Sequence, residues 1–234
     1  MPQSRDLSAD LFNLPALDSK VLFFDVDHTI TAKATGVRWI QVGLSTKSVS
    51  IFNVLRLPFY LFRYKFGNLN FENLPTKFDP LAGIPKTVLE QWGRDTFAQH
   101  IESDIYPAAL ALIRRLRQEG RKVVLSSSSM DFIVRPLAEY LDIEDVIATE
   151  CEYDANDVFT GMVKGVFAFQ GGKLLKTEAY LKTLRQDFSD AAYYSDSIND
   201  LPMLLKVAHP VPTNPDARLR KVSRKRGWDT ICFK

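Results

Sequence analysis

Short apolar runs bounded by polar or turn residues recur through the second half of this chain and occur once near its start. Runs at 21–24, 123–125, 145–149 and 191–194 have the length and composition of buried strands, and a shorter one surrounds Val211. The pattern therefore predicts several buried strands separated by longer segments.

Helical patterns lie between these strands. Pro107 opens a helix whose apolar positions share one face, namely Ala109, Leu112, Ile113 and Leu116. Further helices are predicted at 176–188 and 215–227, and 150–162 has the pattern of a hairpin with its turn at 154–157. This order predicts an α/β fold: a Rossmann-like, doubly wound parallel sheet with helices on both faces.

Polar residues gather where three of the predicted strands end. The first strand runs into Asp25 and Asp27, the second into the serines at 126–129, and the strand at 191–194 into a polar segment at 195–200. Ligands of open α/β folds bind at the carboxyl ends of the strands. Side chains two residues apart on an extended segment face the same way, so the two aspartates repel each other unless a cation lies between them or they divide a task.

Four fragments in a fixed order resemble the motifs of the haloacid dehalogenase superfamily of aspartyl phosphatases, and within it the phosphoserine phosphatase-like branch. These motifs are two aspartates and a threonine after an apolar strand, a serine that closes a strand, a lysine that opens a helix, and an aspartate followed by Asn-Asp. Apart from the lysine, the matching residues are Asp25, Asp27, Thr29, Ser127, Asp196, Asn199 and Asp200. Four motifs in order are far more specific than any single Asp-x-Asp.

The third motif has two candidates, Lys173 and Lys176. The separation from the fourth motif favours Lys176, with Lys173 as the alternative. The residue before Asp196 is Ser195, where the family usually carries glycine. Because serine is also small, we expect this departure to change little.

The resemblance implies magnesium-dependent chemistry. Mg²⁺ prefers hard oxygen ligands, and Asp25, Asp196 and the backbone carbonyl of Asp27 would supply them as in the family. Asp25 would be the nucleophile that forms an aspartyl-phosphate, and Asp27 the general acid and base. The implied phosphate-binding residues are Thr29, Ser127, Ser128 and Lys176, supported by Asn199 and Asp200.

The stretch at 31–105 does not follow the α/β pattern, since it is helix-rich and punctuated by prolines. The family carries a helical cap at this point, so we expect an α/β phosphatase core at 1–30 and 106–234 and an inserted helical cap at 31–105. A cap closes over the site and contacts the substrate. The phosphoserine enzymes have a glutamate where this chain has Ala34, which argues against phosphoserine as the substrate.

An apolar and aromatic segment at 49–66 lies within this insertion and contains Arg56, Arg63 and Lys65. It is too short and too charged to span a bilayer. The first interpretation is a set of cap helices packed on one another. The second is peripheral membrane contact through the cap, or a pocket for an acyl substrate.

Composition narrows the class of protein. The chain has 46% hydrophobic and 25% charged residues, which is typical of a globular protein, and its net charge of +2 gives no general affinity for nucleic acid. Cys151 and Cys232 have no metal or redox spacing, and residues 1–19 lack the pattern of a signal peptide. We therefore expect a cytoplasmic location.

The sequence favours a Mg²⁺-dependent phosphomonoester hydrolase that acts on a small phosphorylated metabolite or a lysophospholipid-type substrate. Two alternatives stay open: a phosphotransferase or mutase that uses the same aspartyl-phosphate, and a catalytically silent binding protein. The acid at Asp27 separates the chain from related ion pumps, which carry threonine there. The intact set of polar residues argues against the silent protein, because packing does not require them together.

Overall fold

A computed structural model describes residues 10–45 and 81–234. Its centre is a five-stranded sheet of order β3-β2-β1-β6-β7, in which every pairing is parallel. The strands are β1 (Val21–Asp25), β2 (Lys122–Met130), β3 (Asp145–Thr149), β4 (Cys151–Tyr153), β5 (Phe159–Val163), β6 (Ala191–Ser195) and β7 (His209–Pro212). The separate antiparallel pair β4–β5 is the predicted hairpin.

Seven α-helices of four or more residues surround this sheet in the described part of the chain, besides a three-residue helical turn (Glu102–Asp104) and several 3₁₀ and π turns. They are α1 (Thr35–Ser45), α2 (Lys86–Thr96), α3 (Pro107–Gln118), α4 (Asp131–Tyr140), α5 (Gly171–Thr183), α6 (Leu201–Leu204) and α7 (Ala217–Arg226). Leu112 of α3 and Phe132 of α4 belong to one buried cluster, whereas Leu181 of α5 and Leu219 of α7 belong to another. The two clusters divide the side chains of β1, so the prediction of a doubly wound α/β sheet is confirmed.

The register of the sheet places the ends of three strands side by side. Asp25 at the end of β1 is level with Ser126 of β2. On the other side of β1, Phe24 is level with Tyr194 of β6. The predicted polar residues therefore meet at one edge of the sheet. One difference from the sequence prediction is that β2 continues through its serines as far as Met130, with a shift in its pairing to β3.

Helix α5 begins at Gly171, five residues before the predicted start at Lys176. The pair Gly171 and Gly172 has low helix propensity, which hides the first turn from a sequence pattern. Packing requires glycine here, because a Cβ on Gly172 would lie 1.9 Å from the backbone oxygen of Phe167. This earlier start decides which lysine reaches the sheet edge.

The described part of the insertion at 31–105 is helical. Helix α1 packs on α2 through Trp39 and Trp92, whose ring centroids are 4.4 Å apart. The two ends of the insertion lie next to each other, since the Tyr106 amide donates to the Ile30 carbonyl at 2.9 Å. The predicted division into core and cap stays a prediction, and the apolar segment at 49–66 lies outside the described residues. No helix in the described ranges is long and apolar enough to cross a membrane.

Candidate active site

Asp25 lies at the centre of the predicted site. It ends β1, is 7% exposed, and has a partner at each carboxylate oxygen. Its Oδ1 accepts from Lys173 Nζ at 2.9 Å, and its Oδ2 accepts from Thr29 Oγ1 at 3.2 Å. Thr29 Oγ1 also accepts from the Asp196 amide at 3.0 Å. Through this buried hydroxyl, the first and fourth motifs are joined directly.

For the third motif, where the sequence favoured Lys176, the contacts favour the alternative candidate, Lys173. Lys173 Nζ contacts Asp25 and also Asp200, at 3.0 Å from its Oδ1. Lys176 lies nearly one turn further along α5 and pairs instead with Glu150 at 2.7 Å. Because α5 starts early, the lysine of its first turn reaches the sheet edge, and the role proposed for Lys176 passes to Lys173.

Asp200 is a buried junction of hydrogen bonds. Besides the lysine, its Oδ2 accepts from Ser195 Oγ at 2.8 Å and from Tyr193 OH at 3.2 Å. Tyr193 OH also lies 3.3 Å from Ser126 Oγ, which links this junction to β2. Ser195 therefore does more than fill the place of a glycine, since its hydroxyl supplies a donor that glycine lacks. The sequence analysis missed this, together with the part played by Tyr193.

The second predicted motif is divided between a buried and an exposed serine. Ser127 is buried, and its Oγ accepts from the Ser129 amide at 3.1 Å. Ser128 is exposed, and its backbone carbonyl accepts from Thr149 Oγ1 at 2.9 Å. Phosphate binding by Ser127 and Ser128 stays a prediction, and burial next to the sheet edge favours Ser127.

Asp27 follows β1 in the loop and contacts the first helix of the insertion. Its Oδ1 accepts from the backbone amide of Thr35 and from Thr35 Oγ1, both at 2.8 Å. Thr35 Oγ1 also lies 2.8 Å from Ser129 Oγ at the end of β2. The sequence analysis did not single out Thr35, and its position eight residues after Asp27 gave no signal.

The fourth motif forms a loop held from two sides. The Asp196 carbonyl accepts from the Asp216 amide at 2.8 Å, and Asp216 Oδ2 accepts from the Ile198 amide at 3.0 Å. Asn199 is at the periphery, where its side-chain oxygen lies 3.5 Å from Gln170 Nε2. Asp196 and Asp200 therefore face the site from a fixed loop, whereas Asn199 supports it from outside.

Asn214 holds the loop of the first motif. Its side-chain amide donates to the carbonyls of His28 at 2.9 Å and Thr29 at 3.2 Å, and its oxygen accepts from the Phe233 amide at 2.8 Å. His28 has a φ of 62°, a left-handed conformation uncommon outside glycine, so this loop needs such support. Neither residue carried a motif that would have identified this role.

Carboxyl groups are crowded together at the sheet edge. Burial raises the pKa of Asp25 to about 7, although Lys173 opposes the shift. Burial, followed by the nearby carboxylates of Asp25 and Asp200, raises the pKa of Asp196 to about 8. Burial alone would lower the pKa of Lys173, but Asp200 and Asp25 overcome this and raise it well above its usual value. The lysine therefore stays charged.

The donor set fits a hard divalent cation. The raised pKa values of Asp25 and Asp196 would fall if a cation bound between them, and both side chains offer oxygen ligands of the kind that Mg²⁺ prefers. Within 10–45 and 81–234, no group of three or more His, Cys, Asp and Glu side chains is arranged to hold a metal ion. The predicted ligand set contains only two such side chains, because its third ligand is the backbone carbonyl of Asp27. It is therefore compatible with this result.

Comparisons with known proteins find similarity over most of the chain. The family model for haloacid dehalogenase-like hydrolases matches residues 22–205. A histidinol-phosphatase from Neisseria meningitidis is 30% identical over 217 residues, which cover 90% of this chain and 97% of that protein. A phosphoserine phosphatase from Mycobacterium tuberculosis, SerB1, is 27% identical over 231 residues, covering 94% and 73%. A crystal structure of a Bordetella pertussis Tohama I protein of unknown function has a TM-score of 0.82 at 25% identity, covering 92% and 100%.

Proposed function

Because the chain belongs to the haloacid dehalogenase-like hydrolases, in their phosphoserine phosphatase-like branch, and is a phosphatase, we propose that it hydrolyses small phosphomonoesters through an aspartyl-phosphate on Asp25. The observation that carries this proposal is the contact of Asp25 with Lys173 at 2.9 Å, at the edge where Ser127 and Asp27 also lie. A carboxylate paired with a buried cation is a nucleophile placed beside a charge that attracts phosphate.

The reaction proceeds in two displacements. A carboxylate oxygen of Asp25 attacks phosphorus, the bond from phosphorus to the ester oxygen breaks, and Asp27 gives a proton to the departing alcohol. Water then attacks the aspartyl-phosphate as Asp27 takes its proton, which releases inorganic phosphate and restores both carboxyl groups. Lys173 and Ser127 contact the phosphoryl oxygens, where negative charge spreads in the transition state.

Magnesium belongs to the same proposal. Asp25, Asp196 and the Asp27 carbonyl would hold the ion, which when bound supplies positive charge that reduces repulsion between the nucleophile and the dianionic ester. Lys173 adds a second positive charge beside the nucleophile, since its Nζ contacts Asp25 Oδ1. Asp200 keeps that lysine in place through a second ion pair.

The insertion at 31–105 is the proposed cap and the proposed source of specificity. Its helix α1 contacts Asp27 through Thr35, which supports a cap that reaches the leaving group. Histidinol phosphate and phosphoserine are the first compounds to test because relatives are named for them, although Ala34 stands where the phosphoserine enzymes have glutamate. Sugar, polyol and lysolipid phosphates complete the panel, which addresses the lysophospholipid-type alternative.

The test is phosphate release from this panel with and without Mg²⁺, for the wild-type protein, Asp25→Asn and Asp142→Asn. Asp142 is a matched control, because it is exposed on a turn and its φ of 55° suits asparagine. We expect release that needs Mg²⁺, is lost in Asp25→Asn and is kept in Asp142→Asn. Phosphate release that survives in Asp25→Asn would overturn the proposed aspartyl-phosphate intermediate.

Product analysis with added acceptor alcohols or sugars separates hydrolysis from phosphotransfer. Hydrolysis predicts inorganic phosphate as the product at every acceptor concentration. A phosphorylated acceptor formed at the expense of inorganic phosphate would favour the phosphotransferase or mutase. No release from any compound, with or without acceptor, would favour the silent binding protein.

A further inference from the structure

The acid–base residue Asp27 is held by a residue from the insertion. Thr35 is the first residue of α1, is buried, and presents both its backbone amide and its hydroxyl to Asp27 Oδ1. Its hydroxyl also contacts Ser129 Oγ, and the Ser129 amide donates to Ser127 Oγ. A continuous chain of hydrogen bonds thus joins Asp27 to the serine of the second motif.

The chemistry of the groups fixes the direction of this chain. A carboxylate oxygen accepts hydrogen bonds, so the Thr35 hydroxyl donates to Asp27. Since a hydroxyl has one hydrogen, Thr35 Oγ1 must accept from Ser129 Oγ. Both of the bonds from Thr35 end on Oδ1 of Asp27. The second carboxylate oxygen of Asp27, Oδ2, accepts neither of the hydrogen bonds from Thr35.

We propose that Thr35 is a positioning residue that fixes Asp27 through Oδ1 and so presents Oδ2 to the oxygen of the leaving group. The inference rests on the acid–base role proposed for Asp27. Thr35 begins a helix of the insertion and Ser129 lies in β2 of the sheet, so the orientation of the acid depends on contact between these two parts of the chain.

This role predicts a loss that depends on the leaving group. An alkyl phosphate expels a basic alkoxide and needs the proton from Asp27, whereas p-nitrophenyl phosphate expels a weakly basic phenolate that leaves without one. The ratio kcat/KM covers the steps up to departure of the leaving group, so it excludes later hydrolysis of the aspartyl-phosphate. A variant that disturbs only the fold would affect both substrates alike.

The experiment compares kcat/KM for p-nitrophenyl phosphate and for the best alkyl phosphate of the panel in the wild type, Thr35→Val and Thr35→Ser. We expect Thr35→Val to lose at least about tenfold on the alkyl phosphate and clearly less on p-nitrophenyl phosphate, with recovery in Thr35→Ser. Thr96→Val is the control. Thr96 is also buried in a helix of the insertion, but its hydroxyl donates within its own helix to the Trp92 carbonyl.

Ser129→Ala keeps the inference testable if Thr35→Val does not fold. It removes the hydrogen bond to the Thr35 hydroxyl, and we expect a smaller loss that again falls mainly on the alkyl phosphate. An equal loss on both substrates, or no loss, in a folded Thr35 or Ser129 variant would overturn the inference and leave the proposed function intact. Failure of the wild type on both substrates would instead contradict the proposed function, and this inference with it.

Discussion

Among single residues, the buried charges around Lys173 are the strongest constraint on the site. Lys173 is 2% exposed and lies between Asp25 and Asp200, which are also buried. A buried charge is tolerated only when it is paired, and breaking such a pair by removing one partner is strongly destabilising. The three side chains therefore act as one unit, and Tyr193 and Ser195 complete it by donating to Asp200.

This arrangement predicts opposite outcomes for two lysines of the same helix. We expect Lys173→Met to lower kcat/KM for phosphate release by at least about 10²-fold, because it removes the proposed donor to the phosphoryl group and the ion-pair partner of Asp25 and Asp200. Lys176→Met is the matched control, since Lys176 pairs with Glu150 away from Asp25. We expect the control to stay within a few-fold of wild type. The assignment of Lys173 would be wrong if the two variants exchanged these outcomes.

The sequence predicted those site residues whose type is unusual where a strand ends. Asp25, Asp196 and Asp200 were identified in this way and Thr29 by its place in the family motif, and the structure brings them together. Sequence distance could not decide between two lysines three residues apart, because the answer depends on where the helix starts. Thr35 and the other hydrogen-bonding partners were missed for a related reason: serine, threonine and tyrosine are common, and only tertiary contact gives them a role.

At the scale of secondary-structure elements, close packing in and around the insertion depends on glycine. A Cβ on Gly93 of α2 would lie 2.0 Å from the backbone oxygen of Phe132 in α4. That carbonyl lacks its usual helical donor, since the residue four positions later is Pro136. A Cβ on Gly43 of α1 would likewise lie 1.9 Å from the Trp92 ring. These contacts bring α1, α2 and α4 together beside the site.

Gly93→Ala should therefore destabilise the protein, by about 1–3 kcal/mol, because backbone must move to make room for the methyl group. Gly36→Ala in α1 is the matched control. Its Cβ would meet nothing within 4 Å, so the gain in helix propensity should stabilise the protein slightly. Thermal unfolding of both variants measures the difference. A Gly93→Ala protein as stable as wild type would show that α2 and α4 can separate at little cost.

The elements themselves were predicted well where local pattern and packing agree. The strands at 145–149 and near Val211 and the helix from Pro107 appear as expected. The misplaced start of α5 and the extended β2 are places where tertiary packing overrides local preference. The first turn of α5 packs so closely on Phe167 that residue 172 has no room for a side chain, and β2 extends through its serines, where Met130 pairs with Thr149 of β3.

For the whole molecule, the carboxylates at one sheet edge make stability depend on pH and on divalent cations. Burial raises the pKa of Asp196 to about 8 and that of Asp25 to about 7 in the folded protein, from 3.8. The folded protein therefore binds more protons than the unfolded chain between about pH 3.8 and pH 8. Without divalent cations, the stabilisation by these groups is complete below about pH 3.8 and is lost as the pH rises towards 8. We expect a bound divalent cation to restore stability at high pH.

Asp196→Asn tests this dependence, because asparagine keeps the shape of the protonated acid and cannot ionise. In EDTA we expect the variant to exceed the wild type in Tm at about pH 8.5 and to match it at about pH 4. Each unit of difference between the folded and unfolded pKa of a group is worth about 1.4 kcal/mol, which shifts the Tm of a chain of this size by about 3–5 °C. Mg²⁺ should raise the Tm of the wild type more than that of the variant, whereas Asp142→Asn should follow the wild type throughout. Equal Tm values for Asp196→Asn and wild type at high pH would mean that solvent or nearby positive charges already stabilise the ionised Asp196 carboxylate in the folded protein.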